Sequence, residues 1–182
     1  MRDRGATEGR ILDAAEHILV RDGIAGFGVN AVARAADVGK PLVYRYFGGR
    51  DGLLETLSRR AAEALGELPE ARTGSDMVPA LIYTGRALAA SALARALLAA
   101  AHADPAVATT VTPLLDALPT PRGGDDDHAA HYAILLAASC FLVLHRDRQP
   151  DWVSVPLSTP RDLARLEAAL AELAHSATSE RN

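Results

Sequence analysis

Between Gly28 and Arg50 the chain reads GVNAVARAADVGKPLVYRYFGGR, and this stretch limits the fold more than any other. Val29, Val32, Ala33 and Ala36 recur at spacings of three and four, which gives a short helix one apolar face. Asp37-Val38-Gly39 follows, too short for anything but a sharp corner. A second helix starts near Lys40-Pro41, where proline is tolerated because a first-turn N–H has no helical partner. Val43 and Phe47, four apart, face inward, so Lys40, Pro41, Leu42, Tyr44, Arg45 and Tyr46 cover the remaining surface. Two short helices meeting at a tight turn, the second showing Lys, Arg and two Tyr outward, make a helix-turn-helix with a recognition helix.

The rest of the chain must supply helices as well. Hydrophobic residues are 49% of the 182, enough for a substantial core, while aromatics are only 4% and no alternating strand pattern occurs. The predicted class is all-α. A single cysteine, Cys140, excludes an internal disulfide framework and any Cys-based zinc finger, and its apolar surroundings suit a small buried hydrophobe. The charged N-terminus MRDRGATEGR leads straight into a helix, unlike a signal peptide. The most apolar run, 133–144, falls short of the roughly 20 residues a bilayer requires. These features predict a soluble, cytoplasmic protein with no membrane partner.

The net charge of −4 divides unevenly. Residues 1–60 hold ten Arg and Lys against eight Asp and Glu, while residues 61–182 hold nine against fifteen. The basic excess lies on the helix-turn-helix side, and an acidic body does not exclude nucleic acid, because local cations make the phosphate contacts.

Along the chain, a first helix is expected over 7–21, with Ile11, Leu12, Ala15, Ile18 and Leu19 as its stripe, Thr7 as N-cap and Gly23 as left-handed stop. The glycines at 23, 26 and 28 follow a helix rather than a strand and lack GxGxxG spacing, so they are not a dinucleotide loop. Phe27 is expected to plug the core there. A fourth helix is expected over 50–65. After a loop at 69–75, another opens at Asp76 with Val78, Leu81, Ile82, Gly85, Leu88 and Ala89 inward. Ser91 marks a break, Leu93, Leu97 and Leu98 continue the apolar face, and Asp104-Pro105 starts a helix to 118. A loop over 119–126 precedes a nearly all-apolar helix at 128–145, which must be covered on all sides. After a loop holding Trp152, a last helix from Pro160 carries Leu163, Leu166, Ala169, Leu170 and Leu173 as one stripe.

The succession Arg10-Ile11-Leu12-Asp13-Ala14-Ala15, Asp22-Gly23, Val32-Ala33, Ala35-Ala36-Asp37-Val38-Gly39-Lys40, Tyr44-Arg45-Tyr46-Phe47 and Arg50-Asp51-Gly52-Leu53-Leu54 resembles the DNA-binding head of TetR-family transcriptional regulators. The resemblance covers about residues 7–57; the remainder matches only in length and helical character. It implies an N-terminal three-helix helix-turn-helix head at 1–50 and a C-terminal helical body at 51–182 for effector binding and dimerisation. It further implies a regulator, in most cases a repressor, that binds a palindromic double-stranded operator as a homodimer and is released by a small molecule. By the same resemblance the helices near 128–145 and 160–175 form the dimer surface, a four-helix bundle with the partner copy.

Carried over position by position, Lys40, Pro41, Leu42 and Tyr44 fall where the family touches bases and adjoining backbone. Arg45, Tyr46 and Arg50 fall at phosphate positions, and Asn30 where some members reach a base from the preceding helix. The chemistry agrees. Lys40 suits guanine O6 and N7, Asn30 an adenine edge, Leu42 a thymine methyl, and the tyrosines and Arg50 suit phosphates. Three positions depart from the family pattern: Gly28 stands in place of a Thr or Ser cap, Asp37 in place of the turn glycine, and Gly39 in place of a capping Ser that reaches phosphate. The alternative reading is a helical effector-binding dimer that no longer reads DNA, and the missing caps are the only features that favour it.

An effector pocket is implied between the helices of 50–118 and the helix near 128–145. Tyr83, Arg86, His102, Thr109 and Thr110 are the polar residues on otherwise apolar helices that suit orienting a ligand. The Ala, Leu and Val content favours an apolar or amphipathic effector. Asp125-Asp126-Asp127-His128 with His131 has metal-ligand character, but acidic residues at a helix start complement its dipole, and that reading is preferred. No metal or cofactor is expected, and no GxSxG, HExxH, P-loop or kinase signature supports an enzyme.

Overall fold

The computed structural model describes residues 4–66 and 77–118 and isolated positions within 134–140 and 161–173. Among the described residues every regular element is helical. In order they are α1 (Arg4–Gly26), α2 (Val29–Ala35), α3 (Lys40–Phe47), α4 (Arg50–Gly66), α5 (Met77–Ala90), α6 (Ala92–Ala103), α7 (Pro105–Ala108), a 3-10 turn (Thr109–Val111) and α8 (Thr112–Asp116). No helix among them is long and apolar enough to cross a membrane.

The chain forms two compact units, Met1–Glu67 with Ser91–Ala117 and Leu68–Ala90 with Leu118–Asn182. The unit that holds the helix-turn-helix therefore also contains α6, α7 and α8. Its core is aliphatic, drawn from Ile11, Ala15, Ile18 and Leu19 of α1, Leu53, Leu54, Leu57 and Ala61 of α4, and Leu93, Ala94, Leu97 and Ala100 of α6. α1 packs on α2, α4 and α6, and α4 also packs on the 3-10 turn and α8. Val107, Val111 and Leu114 are the buried residues of that last segment.

Several local expectations change for identifiable reasons. α1 begins at Arg4, so Thr7 lies inside it, half-buried, rather than at its N-cap. Nothing between Arg4 and Thr7 breaks a helix strongly, and the Arg4 guanidinium lies 5.7 Å over the Tyr46 ring, which anchors the extra turn. Gly23 does take the left-handed region, at φ 67°, but as a kink before a final turn that runs to Gly26. Phe27 is buried, as a plug should be.

The single helix expected over 105–118 is three short pieces. Pro113 has no N–H to offer the Thr109 carbonyl, which accepts the Thr112 hydroxyl instead at 2.9 Å. The Thr110 hydroxyl donates to the Val107 carbonyl at 2.7 Å, and the backbone tightens to 3-10 geometry between them.

In α5, described on its own, Leu88 is buried as expected, together with Tyr83, Thr84 and Ala87. Gly85 and Ala89 are half-buried instead of fully inward. The side chains of Val78, Leu81 and Ile82, the loops over 69–75 and 119–126, the acidic run with His128 and His131, and the Trp152 segment lie outside the described residues. So do most residues of the two helices expected at 128–145 and from 160; the described ones, Ile134, Ala137, Ala138, Cys140, Arg161, Ala164, Arg165, Ala168, Ala169, Glu172 and Leu173, are helical.

Candidate nucleic-acid interface

α2 and α3 are short, so their geometry rests on what they bury and on the turn between them. Val32, Ala33 and Ala36 face the core from the first, Val43 and Phe47 from the second. The turn is closed by two backbone bonds, Val38 N–H to the Ala33 carbonyl at 3.0 Å and Asp37 N–H to the Arg34 carbonyl at 3.3 Å. That pair is a Schellman motif, which needs a left-handed residue just past the helix, and Asp37 supplies it at φ 52°. Aspartate visits this region more readily than most side chains, so the departure from glycine leaves the corner intact.

α3 starts on Gly39 with Pro41 in its first turn and stops on Gly48, whose φ of 74° makes it a left-handed cap. Gly49 follows at φ 128°, and a Cβ there would sit 3.4 Å from Tyr44 Cε1, so the Tyr44 ring lies against this glycine. Gly52 is more constrained still. A Cβ on it would overlap the Phe47 carbonyl oxygen, so the end of α3 and the first turn of α4 touch backbone to backbone.

The expected DNA-facing residues sort by exposure. Asn30, Gly39, Lys40, Pro41, Tyr44 and Arg45 are exposed; Leu42, Tyr46 and Arg50 are half-buried. Tyr44 is 57% exposed, unusual for a large ring without a partner surface. Tyr46 sits between the Arg4 guanidinium and the edge of Phe47, at a 6.5 Å centroid separation. One narrow face thus offers a lysine, an arginine, a tyrosine and a proline above a buried apolar floor. It can donate hydrogen bonds to base edges and phosphates from a rigid helix.

The frame behind this face is tied to the rest of its unit by polar links. Arg60 of α4 donates to Asp13 Oδ1 at 2.8 Å and Glu16 Oε2 at 2.9 Å on α1. Partial burial opposes the Arg60 charge, but the two carboxylates outweigh it and hold its pKa above the ordinary value. Arg50 pairs with Asp104 at 3.6 Å, and the buried Ser58 hydroxyl accepts the Leu114 N–H at 3.0 Å. The sequence reading missed Arg4, Gly52, Ser58 and Asp104. Of these, Gly52 leaves a local sign, a glycine inside a helical pattern, and Asp104 before Pro105 leaves one for its helix start but none for its pairing with Arg50.

The candidate effector residues belong to both units. Tyr83 is buried and Arg86 exposed on α5. In the other unit His102 and Thr109 are exposed, while the half-buried Thr110 hydroxyl is committed to Val107. Among the described residues no group of three or more His, Cys, Asp or Glu is placed to hold a metal ion.

A two-helix corner that presents a cationic, tyrosine-bearing helix from an aliphatic scaffold has the geometry of a helix-turn-helix motif. Residues 11–57 match the family described as bacterial regulatory proteins, tetR family. The HTH-type transcriptional regulator Rv1255c of Mycobacterium tuberculosis is 39% identical over 57 residues, 31% of this chain and 28% of its own length. YvkB of Bacillus subtilis, also an HTH-type transcriptional regulator, is 32% identical over 82 residues, 45% of this chain and 43% of its own. The chain thus spans less than half the length of these curated relatives. Two solved structures extend the likeness of fold. The multidrug binding protein EbrR, complexed with imidazole, has a TM-score of 0.61 at 22% identity over 91% of this chain and 88% of its own. A protein of Rhodococcus sp. described as a TetR-family transcriptional regulator has a TM-score of 0.59 at 22% identity, over 93% and 99%. The likeness to the TetR family thus rests on residues 11–57, and the two solved structures add a likeness of fold.

Proposed function

We propose that this protein is a transcriptional repressor that reads a palindromic operator as a homodimer and leaves it when a small molecule binds. The observation that carries the reading is α3, whose Lys40, Pro41, Tyr44 and Arg45 are exposed over buried Val43 and Phe47 within a family-matched head. Asn30, Gly39, Leu42, Tyr46 and Arg50 complete the proposed DNA surface. The functional division proposed is a head over 1–50 and an effector and dimerisation body over 51–182.

Dimerisation is supported by exposed apolar residues. Ile134, Ala137 and Ala138 are exposed at spacings of three and four, and farther on Ala164, Ala168, Ala169 and Leu173 are exposed on a face that also carries Arg161, Arg165 and Glu172. Ile134 is 68% and Leu173 58% exposed in the single chain, apolar surface that a second copy would cover. Effector release is supported by likeness of fold to EbrR, a small-molecule binder. Of the candidate ligand residues, burial beside Ala87 and Leu88 favours Tyr83. An effector that prefers the state with misplaced heads would release DNA by population shift.

The test is selection of random duplex DNA by the purified protein at near-physiological salt, because low salt lets non-specific phosphate binding dominate. Enrichment of an inverted repeat is the expected result. Lys40→Ala and Tyr44→Ala should each abolish specific binding while helicity and dimerisation stay intact. Operator affinity retained in both variants overturns the assignment.

A further inference from the structure

Arg50 is the first residue of α4. Unpaired N–H groups give that end of a helix a partial positive charge, so a cation there is disfavoured unless an anion is close. Asp51 lies in the same first turn, and the anion paired with Arg50 is Asp104, whose Oδ2 lies 3.6 Å from the guanidinium. Its other oxygen, Oδ1, accepts the Ala106 N–H at 3.0 Å and caps the start of α7. One carboxylate therefore serves two elements, and the junction between α6 and α7 is linked to the residue that follows the recognition helix after only Gly48 and Gly49.

The pair is built to be exchanged. Its side chains are 34% and 38% exposed and the separation is long for a charge-assisted hydrogen bond, so water and salt weaken it. A DNA phosphate offers Arg50 the same charge and the same acceptor chemistry, reinforced by the field of the whole polyanion.

Resting on the DNA-binding reading above, we propose that Asp104 is a built-in competitor for DNA phosphate. It holds Arg50 while the head is free and surrenders it when a phosphate takes its place. Two consequences follow. The protein binds every duplex less tightly than its cations alone would allow. Occupancy of the head also changes the charge balance at the start of α7, and by linkage anything that strengthens the Arg50–Asp104 pair weakens DNA binding.

Asp104→Asn tests this cleanly, because asparagine caps helices about as well as aspartate and only the charge is lost. Affinity would be measured across a salt series for a fixed random-sequence duplex, in wild type, Asp104→Asn, Arg50→Gln and the double variant. Asp104→Asn should bind about three- to tenfold more tightly. Arg50→Gln should bind more weakly, with a salt slope shallower by about one. In the Arg50→Gln background the Asp104→Asn gain should disappear. Asp104→Ser, a shorter cap without charge, should reproduce Asp104→Asn, so that a folding defect in one variant cannot decide the matter. The same gain without Arg50 would mean that Asp104 merely repels DNA, and it overturns the proposal; so does unchanged or weaker binding by both Asp104 variants. Wild-type protein that binds no duplex at any salt overturns the DNA-binding reading, and this inference with it.

Discussion

Helices α2 and α3, proposed to face DNA, and the short segment α6 to α8 behind them begin in different ways. α2 and α3 start on Gly28 and Gly39, neither of which has a side chain to cap the first turn. α6, α7 and α8 each start on a side-chain oxygen. Ser91 Oγ accepts the Ala94 N–H at 3.1 Å, Asp104 Oδ1 that of Ala106, and Ser58, reaching across from α4, that of Leu114. Every helix has N-terminal N–H groups without an intrahelical partner, and side chains satisfy one of them in each of α6, α7 and α8. The reading helices rely on buried faces and a backbone turn instead, which leaves their N-terminal surface unobstructed for a phosphate. Rigidity is concentrated behind the interface, and its edge is left open.

The contrast can be broken most severely at Gly52, where the two regions meet. Gly52→Ala places a methyl group onto the Phe47 carbonyl, and neither α3 nor α4 can retreat without unseating Phe47 or Leu53. Overpacking against backbone should cost about 3 kcal/mol or more, read as a large drop in the urea midpoint with loss of DNA binding. A variant with wild-type stability would mean that the head tolerates a different approach of α3 to α4. Ser58→Ala should have the next largest effect. It leaves the Leu114 N–H buried without an acceptor, because Ser58 is fully buried and no side chain of α8's own N-cap residue takes the role. The expected loss is about 1–3 kcal/mol in the same melt, with Ser58→Thr closer to wild type if the cavity admits the extra methyl. A loss within about 0.5 kcal/mol would show that water or a shifted α8 replaces the bond.

These two positions also show what the sequence could and could not reveal. The corner at 28–50 was legible because its determinants are local: apolar spacing assigned Val32, Ala33, Val43 and Phe47 inward, and Asp37 sits where a turn needs a left-handed residue. Exposure of Lys40, Pro41, Tyr44 and Arg45 follows from the same helical phase. Phase says which face is buried and not which neighbour lies against it. The partners of Ser58, Arg60 and Arg50 lie 44 to 56 residues away in the chain, on helices brought close only by packing of the aliphatic core. The start of α1 was misplaced for a related reason: Arg4 is held by Tyr46, far along the sequence. The three-way break over 105–116 is readable in principle, since Pro113 removes a helical donor, but from sequence Thr109 and Thr110 read only as polar groups suited to a ligand and Thr112 has no role.

The smallest expected effect sharpens the comparison from the other side, by giving a reading helix the cap that the supporting helices have. Gly28 sits at φ −177° and ψ 164°, extended backbone that any residue adopts, and a Cβ there would meet nothing within 4 Å. Gly28→Ser therefore introduces no strain, places a hydroxyl near the N–H groups of Asn30 and Ala31, and lowers the entropy of the unfolded chain. Together these should add about 0.5–1 kcal/mol, measured as a rise in the urea midpoint at unchanged slope. An unchanged midpoint would mean that packing of Val32 and Ala33 already fixes the first turn of α2. A more stable protein that binds DNA less tightly would mean that the open N–H groups of that turn meet phosphate, and that the glycine is kept for the interface at the expense of stability.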